Sequence, residues 1–507
     1  MRARIARASF IYISIAVVGV LSVIVGVLSV IVDSLLPMDS AGGIAASLFS
    51  VLTLVFVLSV TWHACGHTLF PTPVSFFILL AVVQAFLGSF LFLWEGKEGA
   101  ELAVFTIAGS LIAFCVGVLL ANAIRRFRPR LEVNDYLRRP VEVAGNSGKL
   151  LQWVVVLAVF AIVGSLFYYQ GLPFIIKSVR SLVAGDDLQN IQLSAMTARI
   201  ELTKGYLFLG MPYRGQGILR LLWMICLPYL VLCSILYSST TKKGSWRWVS
   251  LVLAPVSFIF LIGSAERSRL MWVLAIFSVA GFYVQGRWLK AGIMRWGIIA
   301  LSSYLFLTVL IGRTRTQVDI GALLGNLGER VVRAQAYNTV DTFRIIPQYR
   351  AHYYGEILWS YLLNLIPGPS SRTSFSYQLA QLQGRSSMST TYASSTIFSN
   401  TYADFGVPGA ILVSFFIGLL LQLVTIKLVR TPRKTILSVT LFAFLAGYLG
   451  YPLFSGTLAS PIVPMVSVVG MYYVLQRASA GRKKIPPETL RKRGGRTTLD
   501  RYDLGRV

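Results

Sequence analysis

Residues 150–168 read LLQWVVVLAVFAIVGSLFY, from Leu150 to Tyr168 without a charged side chain, and Lys149 stands directly before them. At about 1.5 Å per residue this stretch makes a helix of about 28 Å, close to the roughly 30 Å hydrocarbon core of a bilayer. Inside hydrocarbon every backbone N–H and C=O needs a partner, and an isolated segment can supply those partners only as a helix. The stretch therefore predicts a transmembrane helix with a basic end.

Working outward, similar blocks recur near 8–32, 41–62, 72–94, 100–124, 219–238, 248–265, 270–286, 296–312, 406–426, 435–456 and 462–476. The expected fold class is an all-α polytopic transmembrane helix bundle of about twelve spans, a single integral membrane domain over residues 1–507. Composition agrees: 55% of the residues are hydrophobic and 13% charged, with mean hydropathy +0.68. A soluble domain is about 25% charged. Met1–Arg7 is basic, but the apolar stretch after it runs to about Val32 without a small-residue cleavage site. It reads as a retained span and not as a signal peptide. Cys115, Cys226 and Cys233 fall inside spans and Cys65 near a span end, so no disulfide framework is implied.

Charge sets the orientation. With the N-terminus in the cytoplasm, every short basic connection falls on one side, which then holds 30 of the 47 Lys and Arg. Acidic residues divide the other way, 6 inside and 14 outside. This is the positive-inside pattern of a multi-pass protein of a bacterial plasma (inner) membrane with both termini cytoplasmic. The net charge of +27 is thereby a topology signal and an attraction for anionic membrane lipids, with no nucleic acid implied. A basic cytoplasmic tail spans 477–507.

Two long segments remain outside, at about 169–217 and 313–405. In the second, Ile320, Leu323, Leu324, Leu327, Val331, Val332 and Val340 fall near helical spacing, predicting an amphipathic helix on the membrane surface. The apolar run Ile357–Ile366 is too short to span. It is expected to be re-entrant or interfacial, stopped by Pro367-Gly368-Pro369.

Seventeen Lys and Arg lie outside against the usual bias. Arg267 and Arg269 open the eighth span, Arg313 and Arg315 close the ninth, and Arg214 and Arg220 lead into the sixth. A charge at the membrane edge gains nothing without a partner, and one held deeper costs about 2.5–3.5 kcal/mol on insertion scales. Arginine's planar fork suits a phosphate at headgroup level. We expect Arg214, Arg267, Arg269, Arg313 and Arg315 to converge on one pyrophosphate-binding cavity; solvated loop charge is the alternative for any one of them. His63-Ala64-Cys65-Gly66-His67 lacks a fourth ligand, so no metal site is assigned. His352, the third and last histidine, reads as a structural loop imidazole. Phe167-Tyr168-Tyr169 and Tyr353-Tyr354 read as interfacial belts, with stacking on sugar rings as the alternative. The sequence contains no P-loop, dinucleotide fingerprint, HExxH or suitably placed GxSxG.

Tyr354-Gly355-Glu356, Leu365-Ile366-Pro367-Gly368-Pro369, the Ser/Thr-rich Ser386–Ser395, and Asn400-Thr401-Tyr402-Ala403-Asp404-Phe405-Gly406-Val407-Pro408-Gly409 together resemble the O-antigen polymerases, the oligosaccharide repeat-unit polymerases. Pro212-Tyr213-Arg214-Gly215 and Ser268-Arg269 resemble arginine positions of that family and of the related O-antigen ligases. The resemblance covers the fifth to twelfth spans. Arginine and glycine separated by ten residues, another family motif, occurs at Arg199/Gly210 and Arg344/Gly355, no more often than composition alone produces.

The resemblance implies a GT-C-like membrane glycosyltransferase with two large extracytoplasmic loops, a polysaccharide polymerase of cell-envelope biosynthesis. Its substrates would be polyprenyl-pyrophosphate-linked oligosaccharides, joined by glycosyl transfer from the growing chain to a new unit, with a chain-length regulator as a further partner. No paired-carboxylate metal motif occurs in an outer loop, so metal-independent catalysis without a cofactor is expected. With so good a leaving group a general base is optional. If one acts, Asp404, Glu356, Asp341, Glu266 and Glu201 form the pool. Two alternatives stand beside this reading. One is an O-antigen ligase, for which only His352 would serve as the working histidine of the outer loop. The other is a lipid-linked oligosaccharide flippase, although two related halves, interrupted midplane helices and a long central loop are not visible in the sequence.

Overall fold

A computed structural model describes residues 41–66, 71–143, 145–169, 176, 206–208, 211–213, 216–263, 267–286, 329–363, 375–384, 395–456 and 460–480. The expected spans at 8–32 and 296–312, most of the 169–217 segment and the tail beyond 480 lie outside the described residues. Helices occupy the other ten expected positions: α1 (Ala41–Ala64), α2 (Pro73–Trp94), α3 (Ala100–Ile124), α5 (Ser147–Tyr168), α6 (Leu219–Thr241), α7 (Gly244–Gly263), α8 (Arg267–Gln285), α12 (Ile397–Val429), α13 (Ile436–Phe454) and α14 (Ile462–Ser479). Of these, α2, α3, α5, α6, α7 and α12 are long and apolar enough to cross a membrane. The chain is a helical membrane protein. The all-α expectation needs one correction, a small antiparallel hairpin of β1 (Tyr206–Phe208) and β2 (Met211–Tyr213).

Three helices start with the same local device. Thr72, Thr396 and Thr435 each accept from the backbone N–H three residues on, and Ser75, Ser399 and Ser438 at those positions accept in return from the threonine N–H. Each capping box satisfies first-turn donors that no carbonyl of the same helix can reach.

At the centre α3 and α12 meet backbone to backbone. A Cβ at Gly117 would overlap the Phe415 carbonyl, and one at Gly418 would overlap the Phe114 carbonyl. Lipid gives apolar side chains no reason to prefer each other, so close approach through small residues and interhelical hydrogen bonds has to hold such helices together. Gln422 supplies one such bond, donating from Nε2 to the buried Asn122 Oδ1 at 2.7 Å.

The basic connection after α3 holds a helix that the span pattern did not predict, α4 (Pro129–Arg138). Arg430, at the end of α12, grips its Glu132 with Nε and Nη2 at 2.6 and 2.9 Å. Lys434 Nζ donates to the carbonyls of Tyr136, Leu137 and Arg139 at 3.2, 3.3 and 3.2 Å, closing the C-terminal end of α4. Burial, helped by the Arg139 charge, pulls the Lys434 ammonium down to about 8.

The opposite end of the bundle carries three helices that do not span. They are α9 (Ala334–Ile345), entered through a π-helical turn at Glu329–Arg333, α10 (Glu356–Leu363) and α11 (Phe375–Leu382). Phe92, Ala103, Val340, Phe343, Ile357, Leu379 and Tyr402 belong to one buried core there, separate from the main one. Of the amphipathic helix expected on the membrane surface, Ile320, Leu323, Leu324 and Leu327 lie outside the described residues, while Val340 is packed into the bundle end on α9, which also buries Asn338, Thr339, Asp341 and Thr342. The reason is polar pairing: Thr339 Oγ1 meets Thr396 Oγ1 at 3.1 Å, and Asp341 has partners of its own. Of the run 357–366 that reads as too short to span, Ile357–Leu363 are described, all within α10, and residues 364–366 lie outside the described residues.

Candidate functional site

The site is built on a break in α12. The helix begins at Ile397, inside what the sequence reads as loop, and runs through Gly406, whose φ/ψ of 69°/−167° is not helical. Pro408 has no N–H to give the Asp404 carbonyl. The carbonyls before the break are met from outside the helix: Tyr402 by His352 Nδ1 at 3.0 Å, Ala403 by the Tyr353 N–H at 2.9 Å, and Asp404 by the Tyr354 N–H at 2.8 Å. A carbonyl only accepts, so Nδ1 carries a proton there, and Nε2 lies beside Gly406. The Tyr402 ring stacks on Phe343 at 4.0 Å, and its hydroxyl donates to the Ile346 carbonyl at 2.9 Å.

The side chain of Asp404 then orients the next helix. Oδ1 accepts from Ile357 N–H and Oδ2 from Leu358 N–H, both at 3.0 Å, so one carboxylate caps the start of α10. With 3% of its surface exposed, Asp404 is a positioning group whose two oxygens are already engaged. The stretch 352–356 is thereby seated across the break by backbone and side chain together. It presents His352, Tyr354 and Glu356. Glu356 is exposed, and its carboxylate has no hydrogen-bond or ion-pair partner among the described residues.

Asp341, the third catalytic candidate, is 1% exposed and lies 3.1 Å from Lys97 Nζ and 3.7 Å from Arg344 Nη2. Its Oδ2 accepts from Gln383 Nε2 at 2.9 Å. Lys97 sits over the Tyr337 ring at 3.3 Å and the Phe92 ring at 4.8 Å. Burial lowers its affinity for the proton, opposed by the Asp341 carboxylate. Arg333 pairs with Glu95, and Gln348 Nε2 reaches Glu98 Oε1 at 3.4 Å. These contacts clamp the turn between α2 and α3 onto α9, and Asp341 belongs to the clamp. The sequence reading left Lys97 out of its cation set. The signal available was a single lysine among Glu95, Glu98 and Glu101, too short a turn to say which distant carboxylate it meets.

Of the five arginines expected to converge, Arg269 is described with its side chain. It stands at the start of α8, and its charge and that of Arg220 both act on the Tyr448 hydroxyl, which donates to the Met224 carbonyl at 2.7 Å. Arg220 on α6, outside the predicted set of five, thus acts on the same hydroxyl as Arg269. Arg214, Arg313, Arg315, the Arg267 side chain, Glu201 and Glu266 lie outside the described residues. If the pair recognises phosphate by its planar forks, Arg269→Lys keeps the charge but lowers activity about tenfold at unchanged protein abundance. Normal activity of that variant would remove Arg269 from the site.

No family model, no curated protein and no solved structure matches the chain.

Proposed function

We propose that the chain polymerises polyprenyl-pyrophosphate-linked oligosaccharide repeat units at the outer face of a bacterial plasma membrane. In this reading it has twelve spans in a GT-C-like arrangement, with both termini cytoplasmic. The observation that carries the proposal is the seating of 352–356 across the broken α12. Two of the stretches that resemble the O-antigen polymerases, 354–356 and 400–409, are thereby joined into one structural unit, with the Glu356 carboxylate at its edge unpartnered among the described residues.

The chemistry follows from that carboxylate. A hydroxyl of the new unit attacks the anomeric carbon of the growing chain, and its proton passes to Glu356. The new glycosidic C–O bond forms as the bond from the anomeric carbon to the carrier pyrophosphate breaks, and the pyrophosphate leaves with both electrons of that bond. In this reading cationic Arg269 and Arg220, whose charges both act at Tyr448, are the groups that would stabilise the charge growing on the leaving group. Asp404 acts indirectly, by holding the start of α10 and with it Glu356.

The test is extension of lipid-linked repeat units by the purified chain in liposomes, with a ladder of longer products as the expected result. Saturating chelator leaves that ladder intact; activity lost to chelator and restored by a divalent ion would refute the metal-independent mechanism. A ligase reading is favoured by one observation, the seating of the His352 ring by its Nδ1–H on the Tyr402 carbonyl. Transfer of a finished chain to a lipid A core, without a ladder, would select it.

Orientation has its own test. Tyr349→Cys, at an exposed position beside α9, should react with a membrane-impermeant maleimide in intact cells, and Arg138→Cys on α4 only after lysis. Background is low because Cys65, Cys115 and Cys233 are buried. The reverse pattern would invert the topology and end the outer-face assignment.

A further inference from the structure

Tyr354 is one of three described non-glycine residues with a left-handed backbone, with Arg126 and Lys242, and the one aromatic among them. Its φ is 49°, in the left-handed region where a side chain is disfavoured and glycine is at ease, as in its neighbour Gly355 at 90°. Strain of this kind is usually offset by packing of the ring. Here the side chain is 80% exposed and makes no hydrogen bond or ring pair with the described residues. The backbone is held on both sides instead, by the Tyr354 N–H on the Asp404 carbonyl at 2.8 Å and the Glu356 N–H on the Tyr353 carbonyl at 3.0 Å. The fold thus enforces an unfavourable turn and turns an aromatic ring outward. Strain retained without an internal contact points to a task outside the chain.

The surroundings define that task. Phe405 is exposed too, and its ring lies against Gly355, 3.3 Å from where a Cβ would stand. Glu356 follows at the first turn of α10 with its carboxylate free. We infer that Tyr354, with Phe405 beside it, is a stacking platform for a sugar ring whose hydroxyls are held by Glu356. This rests on the proposed glycosyl transfer and assigns the sugar-binding subsite next to its base. A pyranose offers a C–H face to an aromatic ring and hydroxyls at its edge, so a flat ring next to an acceptor-only carboxylate fits both. An interfacial lipid anchor is the competing role of an exposed tyrosine. An unpaired carboxylate two residues away argues against contact with acyl chains, where a charge is unfavourable.

The experiment measures sugar binding apart from polymerisation. The probe is the repeat-unit oligosaccharide freed from its carrier by mild acid, taken from the cells that make the chain, and added to the purified full-length protein in detergent. Saturation-transfer NMR should show binding by the wild-type protein and by Tyr354→Phe, and about tenfold weaker binding by Tyr354→Ala and Tyr354→Leu. Tyr354→Gly should bind as weakly as Tyr354→Ala with no loss of thermal stability, since glycine relieves the turn. Wild-type-like binding by Tyr354→Leu, equal binding by all variants, or no binding by the wild type would each overturn the platform. Aromatic-dependent binding without any ladder in the liposome assay would leave the platform standing and remove the polymerase reading alone.

Discussion

Exchanging Glu356 for glutamine is expected to slow chain extension by about a hundredfold or more, the usual share of a general base, while protein abundance and melting temperature stay unchanged. Glutamine keeps the shape and removes the proton acceptor. The position is exposed and its carboxylate meets no described partner. Surface substitutions of this kind stay within about 0.5 kcal/mol of neutral. The contrast is Asp404→Ala, which leaves the Ile357 and Leu358 N–H groups without their acceptor. Loss of such a cap destabilises by about 0.5–2 kcal/mol, so that variant should lose melting temperature and activity together. The measurement is the product ladder from the two purified variants alongside fluorescence-detected thermal unfolding. Wild-type extension by Glu356→Gln would mean that the leaving pyrophosphate is good enough to need no base, or that the base lies elsewhere.

The second large effect is structural. Gly418→Val should destabilise the protein by about 3 kcal/mol or more, at the upper end of what overpacking does in a core. Its Cβ would overlap the Phe114 carbonyl and approach Phe114 Cα at 3.0 Å. These are backbone atoms of α3, so no rotamer change relieves the clash, and the helices must separate. Separation would also stretch the Gln422–Asn122 hydrogen bond on the same seam. Gly470→Ala is the control, because a Cβ there meets nothing within 4 Å; it should be neutral or slightly stabilising, since alanine is the better helix former. Size-exclusion profiles in detergent after a heating series would report both. A Gly418→Val protein as stable as the wild type would show that the α3–α12 seam opens without penalty.

The arginines show where sequence reasoning about a site reaches its limit. Placing cations at span ends singled out Arg269, and the reasoning was local: a charge beside an apolar block. Which cation acts with it depends on helices far apart in the chain: α6 carries Arg220, and α13 carries the Tyr448 hydroxyl on which both charges act. Asp341 and Asp404 were legible as outer carboxylates in the same way. Nothing in their neighbourhoods says that one meets Lys97 and the other the N–H groups of Ile357 and Leu358.

What the sequence determined by itself is the set of helices that match a bilayer. Residues 100–124 form α3 as Ala100–Ile124, and the 150–168 block lies within Ser147–Tyr168. The requirement is local, because each segment must cover about 30 Å with its own hydrogen bonds. Only the tertiary structure decided that α12 starts at Ile397, that its break at Gly406 is completed by 352–354, and that Asp404 caps a helix it does not belong to. Those features satisfy backbone groups left open by Gly406, Pro408 and the first turn of α10. Their partners are distant in sequence, and composition carries no record of which distant donor meets which acceptor.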